Sequence, residues 1–219
     1  MQRNGKKLVV ICNRDDLDPG IWDPYHYRQD SSKDLFSEFV TVKKIDSKYC
    51  NLKNINFEPI EYSNIPRGKF LTFSLIPSEK SHKNVKIPVV SENCLIMGTM
   101  RAYIGNVIVT PKASWIDLES PVLFPIGSEF VEIIPKDGYF YFWWAFLLSP
   151  AFLHQLPTGS GGTRPRTTPE SLLKIPVQVP STDIRKEIHE QLLILAENDW
   201  TNYRLREMAA SFLWGKYDE

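Results

Sequence analysis

Residues Gly159 to Leu192 read GSGGTRPRTTPESLLKIPVQVPSTDIRKEIHEQL, and this stretch changes character four times. Gly159, Ser160, Gly161 and Gly162 begin a loop that runs through two arginines, Arg164 and Arg166. Thr168-Pro169-Glu170 is a helix start, with a hydroxyl at the cap, proline in the first turn and an acid beside it. Lys174 to Val179 (KIPVQV) is strand-like and is closed by Pro180. From Ser181 to about Phe212 there is no proline and no glycine. Within it Ile184, Ile188, Leu192 and Leu195 recur at helical spacing, with Arg185, Lys186, Glu187 and Glu190 between them. Some thirty residues make a helix of roughly 45 Å, longer than one compact domain needs to cover its core. Such a helix either lies on its own sheet or projects to pair with another helix.

Upstream, the texture is that of short strands. Val40 to Val42 and Ile55 to Tyr62 alternate apolar and polar residues between turns. Lys69 to Ile76 (KFLTFSLI), Lys86 to Val90 and Val131 to Ile134 are rich in β-branched and aromatic residues. Asn93 to Met100 and Tyr103 to Thr110 bracket Arg101 as a strand pair or one bent strand. The uncharged run Tyr139 to Leu156 follows a turn at Asp137-Gly138. Its dense part covers about half a bilayer, and Pro150 interrupts it, so it is expected as a buried helix and not as a membrane span. The expected fold is α+β: a mixed, strongly bent β-sheet body with short helices over residues 1–180, then a long C-terminal helix and tail over 181–219, able to pair as an antiparallel coiled coil.

The chain has 219 residues, 42% of them hydrophobic and 24% charged, within the globular range. Sixteen prolines and eleven glycines suit strands joined by tight turns better than a helical bundle. Cys12, Cys50 and Cys94 form no CxxC pair, so structural zinc is not expected, and lone thiols suit a reducing cytoplasm. The apolar run near the N-terminus is too short for a signal-peptide core. Catalytic patterns are missing as well. Gly159–Gly162 is not a nucleophile elbow, and the loop lacks the Lys-Ser/Thr of a phosphate-binding P-loop. His26, His82, His154 and His189 are scattered without metal spacing. Asp23-Pro24-Tyr25 resembles part of an amino-methyltransferase motif, but the second proline is absent and turn chemistry accounts for it. The expectation is a binding protein and not an enzyme, with no cofactor and no metal of its own.

Twenty-six basic and twenty-six acidic residues give no net charge, which speaks against a protein that binds nucleic acid through bulk charge. The charges are unevenly placed. Residues 43–112 hold eleven basic and five acidic side chains, whereas residues 113–219 hold nine and fourteen. The basic segment, which includes Lys83, Lys86 and Arg101, is either ordinary solvated surface or a face for phosphates. The glycine-rich loop adds backbone N–H donors beside arginines, a suitable cradle for phosphate, and an arginine fork can also grip a guanine edge.

Three segments resemble the target recognition domain of type I restriction-modification specificity subunits. RDDLDPGIWDPYHYRQ, residues 14–29, is similar to the family's opening, where an Arg-x-Asp-like element precedes paired aromatics. ENCLIMGTMRAYIGNVIVTP, residues 92–111, is similar to its "gDiL…R…G…v" segment, with Asn93 where Asp is frequent. The stretch from Gly159 is similar to its glycine-rich loop, short helix, I-P-(I/V)-P-like strand and long helix. The Pro-Pro and Gln-Gln pairs frequent at that last junction are absent, and the chain has one domain and one helix where a full subunit has two of each. The resemblance implies a half-length specificity protein, a separated recognition domain, or a relative used in another system. Such a domain reads one half of a split double-stranded DNA target, and docks an adenine-methylating modification subunit that carries S-adenosylmethionine, and in the full complex a restriction subunit. It would find its second half-site through a homodimer or a second recognition domain, by way of the long helix. The residues implied at the DNA are Arg101, Arg164, Arg166, Lys83, Lys86, Gly161 and Gly162; those implied in helix pairing are Ile184, Ile188, Leu192 and Leu195. Arg101 could instead be a core-positioning ion-pair residue, and Gly105 serves a bulge or a close backbone approach. The alternative function is a protein-interaction or accessory module of a defence system that uses this fold without reading sequence.

Overall fold

The computed structural model of the chain describes residues 34–51, 56–66, 70–78, 84–158 and 165–214. Their fold is α+β, with antiparallel sheets and a long C-terminal helix.

The centre is a four-stranded sheet of β2 (Val40–Lys44), β5 (Leu95–Gly98), β6 (Val107–Val109) and β8 (Phe130–Pro135), in the order β2-β8-β5-β6. Strand β5 is buried along its whole length, which explains its unbroken Leu-Ile-Met run: an interior strand covered on both faces has no polar side to show. Strands β5 and β6 form a hairpin, Leu95 facing Val109 and Met97 facing Val107, so residues 99–106, with Arg101, are its tip. A second sheet joins β3 (Ser47–Asn51), β4 (Asn84–Ser91) and β7 (Leu123–Pro125). A third pairs β1 (Asp34–Leu35) with β9 (Pro176–Val177).

Helix α1 (Phe36–Phe39) links β1 to β2. The aromatic run becomes two helices, α2 (Phe140–Leu147) and α3 (Pro150–Leu153). Pro150 fits because it opens α3, where its missing N–H costs no bond, and Ser149 caps that helix by accepting the Phe152 N–H at 3.3 Å. Helix α2 packs on β6, and the Trp144 indole donates to the Val107 carbonyl at 3.1 Å. Among the described residues no helix is long and apolar enough to cross a membrane. Helix α4 (Pro169–Leu173) starts as its sequence predicts: Thr168 Oγ1 accepts the Ser171 N–H, and Ser171 Oγ accepts the Thr168 N–H in return.

Helix α5 (Thr182–Trp214) is 33 residues long. Ala196 and Trp200 are fully buried in the core shared with the sheets, and Ile188, Leu192, Leu193 and Tyr203 pack against it. The change of texture at Pro180 therefore marks where a helix begins and not where a core ends. A buried hub fastens its first turn. Arg185 Nε donates to Asp137 Oδ2 at 2.9 Å, Nη1 to the Pro180 carbonyl at 2.7 Å and Nη2 to Thr182 Oγ1 at 3.2 Å. Asp137 Oδ1 in turn accepts the Trp143 indole and the Tyr139 amide.

Two strand expectations fail. Residues 70–76 are not a strand, and residues 56–61 make only single bridges, Phe57 to Pro77 and Ile60 to Ile126. Their backbone groups find other partners. Ser74 donates to Asn64, Glu58 to Ile76 and Leu75 to the Tyr203 hydroxyl. Phe73 is apolar to fill the space against Trp200, edge-on at 5.1 Å, and not to face a sheet.

Candidate nucleic-acid interface

The tip of the β5–β6 hairpin meets the end of the glycine-rich loop, some 65 residues later in the chain. The Arg101 N–H donates to the Pro165 carbonyl at 2.8 Å, and the Thr167 N–H to the Thr99 carbonyl at 2.9 Å. Met100 and Arg166 thereby form an antiparallel bridge. Two of the arginines singled out in the sequence are thus brought together, one on each side of the junction.

Arg101 is exposed and has left-handed backbone, φ 50° and ψ 44°, a conformation costing a side-chain-bearing residue roughly 1 kcal/mol or more. It opens the 3-10 turn Ala102–Ile104, which Gly105 closes at φ 81°. An exposed side chain does not fit the core ion-pair role. Gly105, expected at a bulge or a close backbone approach, instead ends this turn in left-handed backbone, and a Cβ there would lie 3.0 Å from Leu148 Cδ2. Tyr103 is half-buried against the core.

Arg166 is not an unencumbered cation. Its Nε donates to Glu129 Oε2 at 3.1 Å and its Nη2 to Glu129 Oε1 at 2.9 Å, a two-pronged fork on one carboxylate. Arg166 hydrogen bonds hold the Glu129 carboxyl below its usual range, and the pair raises the Arg166 guanidinium in return. The Glu129 carbonyl is pinned from the other side. It accepts the Thr99 N–H at 2.8 Å, Thr99 Oγ1 at 2.9 Å and the Tyr62 hydroxyl at 2.8 Å. The Tyr62 oxygen also accepts the Met100 N–H at 3.1 Å, and the ring stacks on Phe130 at 4.8 Å. Burial raises the Tyr62 phenol above its ordinary pKa, so it keeps the proton that it donates. Gly98 makes room for this ring: a Cβ would sit 2.3 Å from Tyr62 Cε1.

Sequence reasoning passed over Glu129 and Tyr62. An isolated acid and an isolated tyrosine carry no local pattern, and only the tertiary contact gives them a role.

The remaining candidates are scattered. Lys86 is exposed on β4, in the other sheet. Lys83, Gly161, Gly162 and Arg164 lie outside the described residues, as do the matched stretch 14–29, Cys12, His26, His82 and Ser160. Of the basic segment, Lys43, Lys44 and Lys48 are exposed, with Lys43 opposite Glu132 in the ladder, and Lys112 lies 5.2 Å over the Trp115 ring. The four proposed pairing residues of α5 differ in exposure. Ile184 and Leu195 are exposed, whereas Ile188 and Leu192 pack on the body itself. No group of three or more His, Cys, Asp or Glu side chains suited to a metal occurs among the described residues. Burial pushes the Cys94 thiol up to about 12, which makes it a poor nucleophile.

The chain resembles part of a restriction-modification complex in the solved structures. That neighbour is a chain of a structure described as the structural basis underlying complex assembly and conformational transition of the type I R-M system, 14% identical, with a TM-score of 0.44 over 80% of this chain. The match spans 41% of the neighbour's own length. No protein-family model matches the chain, and no curated protein does.

Proposed function

We propose that the chain is a non-catalytic DNA-recognition part of a type I restriction-modification specificity subunit. In this role it reads one half of a two-part target and docks an adenine methyltransferase, which supplies S-adenosylmethionine and the chemistry. The observation that carries the proposal is the junction of Arg101 with residues 165–167. The two segments that resemble the family most are the two that meet there, and the meeting point presents arginines. The chain's own cofactor requirement is none, and its partners are duplex DNA, the modification subunit and, in the full complex, a restriction subunit. The second half-site is reached through a second copy or a second recognition domain paired along α5.

Selection from a random pool of duplexes tests the proposal. Recovery of a reproducible motif by the full chain supports recognition. A pool that stays random overturns it in favour of an accessory module. Against a selected duplex, Arg101→Ala should make the dependence of log affinity on log salt shallower by about one unit if Arg101 meets a phosphate. If it reads a base, the loss should instead fall at one position of the motif.

A further inference from the structure

We infer that Glu129 is a positioning residue for Arg166, which it holds by one edge so that the other edge is presented to DNA. This rests on the recognition role proposed above. A guanidinium has two edges able to form paired hydrogen bonds. Glu129 occupies the one formed by Nε and Nη2. The edge formed by Nη1 and the second Nη2 proton makes no hydrogen bond to any described residue, and 63% of the Arg166 side chain is exposed. That edge has the geometry that grips guanine O6 and N7, or two phosphate oxygens.

Glu129 is itself immobilised. Three donors fix its carbonyl, two of them from Thr99, at the base of the hairpin tip that carries Arg101. The anchor reaches Arg166 independently through the backbone bridge to Met100. A long, rotamer-rich arginine held this way loses little further freedom on binding, and pre-organisation of this kind favours the complex. The carboxylate also makes the site choosy. Beside a polyanion its charge is repulsive, so it is tolerable only where the arginine that it orients makes a contact worth more than the repulsion.

The sign of the effect separates this role from simple electrostatics. Removing an acid from a DNA-facing surface should strengthen binding. Glu129→Ala should instead weaken binding to the duplex selected by the wild-type chain by about tenfold, within the range of one lost paired contact. Binding to random-sequence duplex should stay unchanged or tighten. In an Arg166→Ala background the same substitution should no longer weaken binding of the selected duplex, because a positioning residue acts only through the group that it positions, and relief of the repulsion leaves binding unchanged or tighter. Glu129→Gln, which keeps the shape and one acceptor, should fall between wild type and Glu129→Ala and guards against a folding defect. Tighter binding of the selected duplex by Glu129→Ala, or a loss that persists undiminished in Arg166→Ala, overturns the inference. A wild-type chain that selects no sequence overturns the recognition role and this one with it. In that event the Arg166 Nε–H resonance, slow to exchange in wild type and lost in Glu129→Ala, shows that the clamp exists and that its use in recognition was the error.

Discussion

Arg101 shows how a single residue can carry opposing demands. Its left-handed backbone favours glycine, yet the position holds a long cation that points to solvent. Arg101→Gly should relieve the strain and raise unfolding stability by up to about 1 kcal/mol, partly offset by the greater freedom of glycine in the unfolded chain. Duplex binding should fall in the same variant. Urea denaturation beside a binding titration checks both, and a variant that is less stable would show that the arginine side chain supports the fold. Gly98 is the opposite case, a residue required for space. Gly98→Ala drives a methyl into the Tyr62 ring, and the resulting overpacking should cost about 1–3 kcal/mol, measurable as a lower urea midpoint. Because Tyr62 also holds the Met100 amide, the hairpin tip should exchange its amide hydrogens faster in that variant.

Helix α5 has two faces with different work. One face, through Ile188, Leu192, Ala196, Trp200 and Tyr203, is committed to its own body. Ile194, Leu205, Met208 and Phe212 lie on the other side, each more than half exposed. With Asn198 and Thr201 they follow steps of four and three residues, the spacing of a coiled-coil seam. The helix pairing proposed above would find coiled-coil spacing nearer the C-terminus than Ile184 to Leu195, on the side away from the buried residues. Leu205→Asp with Met208→Asp should leave the unfolding midpoint almost unmoved while abolishing the pairing along α5 proposed above, as followed by sedimentation. A midpoint that drops sharply would mean that this face is core after all. At the other end, Arg185 and Asp137 form a pair whose side chains are 11% and 17% exposed. Arg185→Ala strands the Asp137 charge and should destabilise the chain by about 3–5 kcal/mol, read from urea unfolding. The helical periodicity of residues 181–212 was plain in the sequence. Which stripe faced inward was not, because both stripes hold apolar residues and only the placement of α2 and Phe73 chooses between them.

For the whole molecule, acid should weaken the fold in two stages. His189 sits between the Tyr139 and Tyr141 rings, and its Nδ1 accepts the Tyr141 N–H at 3.2 Å. Burial lowers its pKa, against the pull of Glu190 and Asp137 and with some help from Lys112. The unfolded chain therefore takes up this proton first. The stability that His189 contributes is complete above its unfolded pKa of about 6.5 and is lost as pH falls through the lower folded value. Glu92, held down chiefly by its hydrogen bond from Ser120, and Glu129, held down by Arg166, act in the same sense in the carboxylate range. Thermal midpoints across pH should be level from about 7 to about 8, fall first below about 6.5 and fall again below about 4.5, while the raised Cys94 thiol and Tyr62 phenol lower them in the alkaline range. A His189→Asn variant that keeps the first fall would assign it to another group.

Elements whose signals are local were legible in the residues alone. The cap at Thr168, the interruption at Pro150, the long helix after Pro180 and the strand pair around Arg101 all follow from neighbouring residues. The sequence also placed Arg101 and Arg166 among the residues of interest, through their segments' resemblance to a family. Contacts between distant parts of the chain settle that those two segments touch, that Glu129 grips Arg166, that residues 70–76 fill space without pairing, and which face of α5 packs on the body. The difference has one physical cause. Caps and periodicity are written within a few residues, whereas an ion pair or a packed face depends on groups that folding alone brings together.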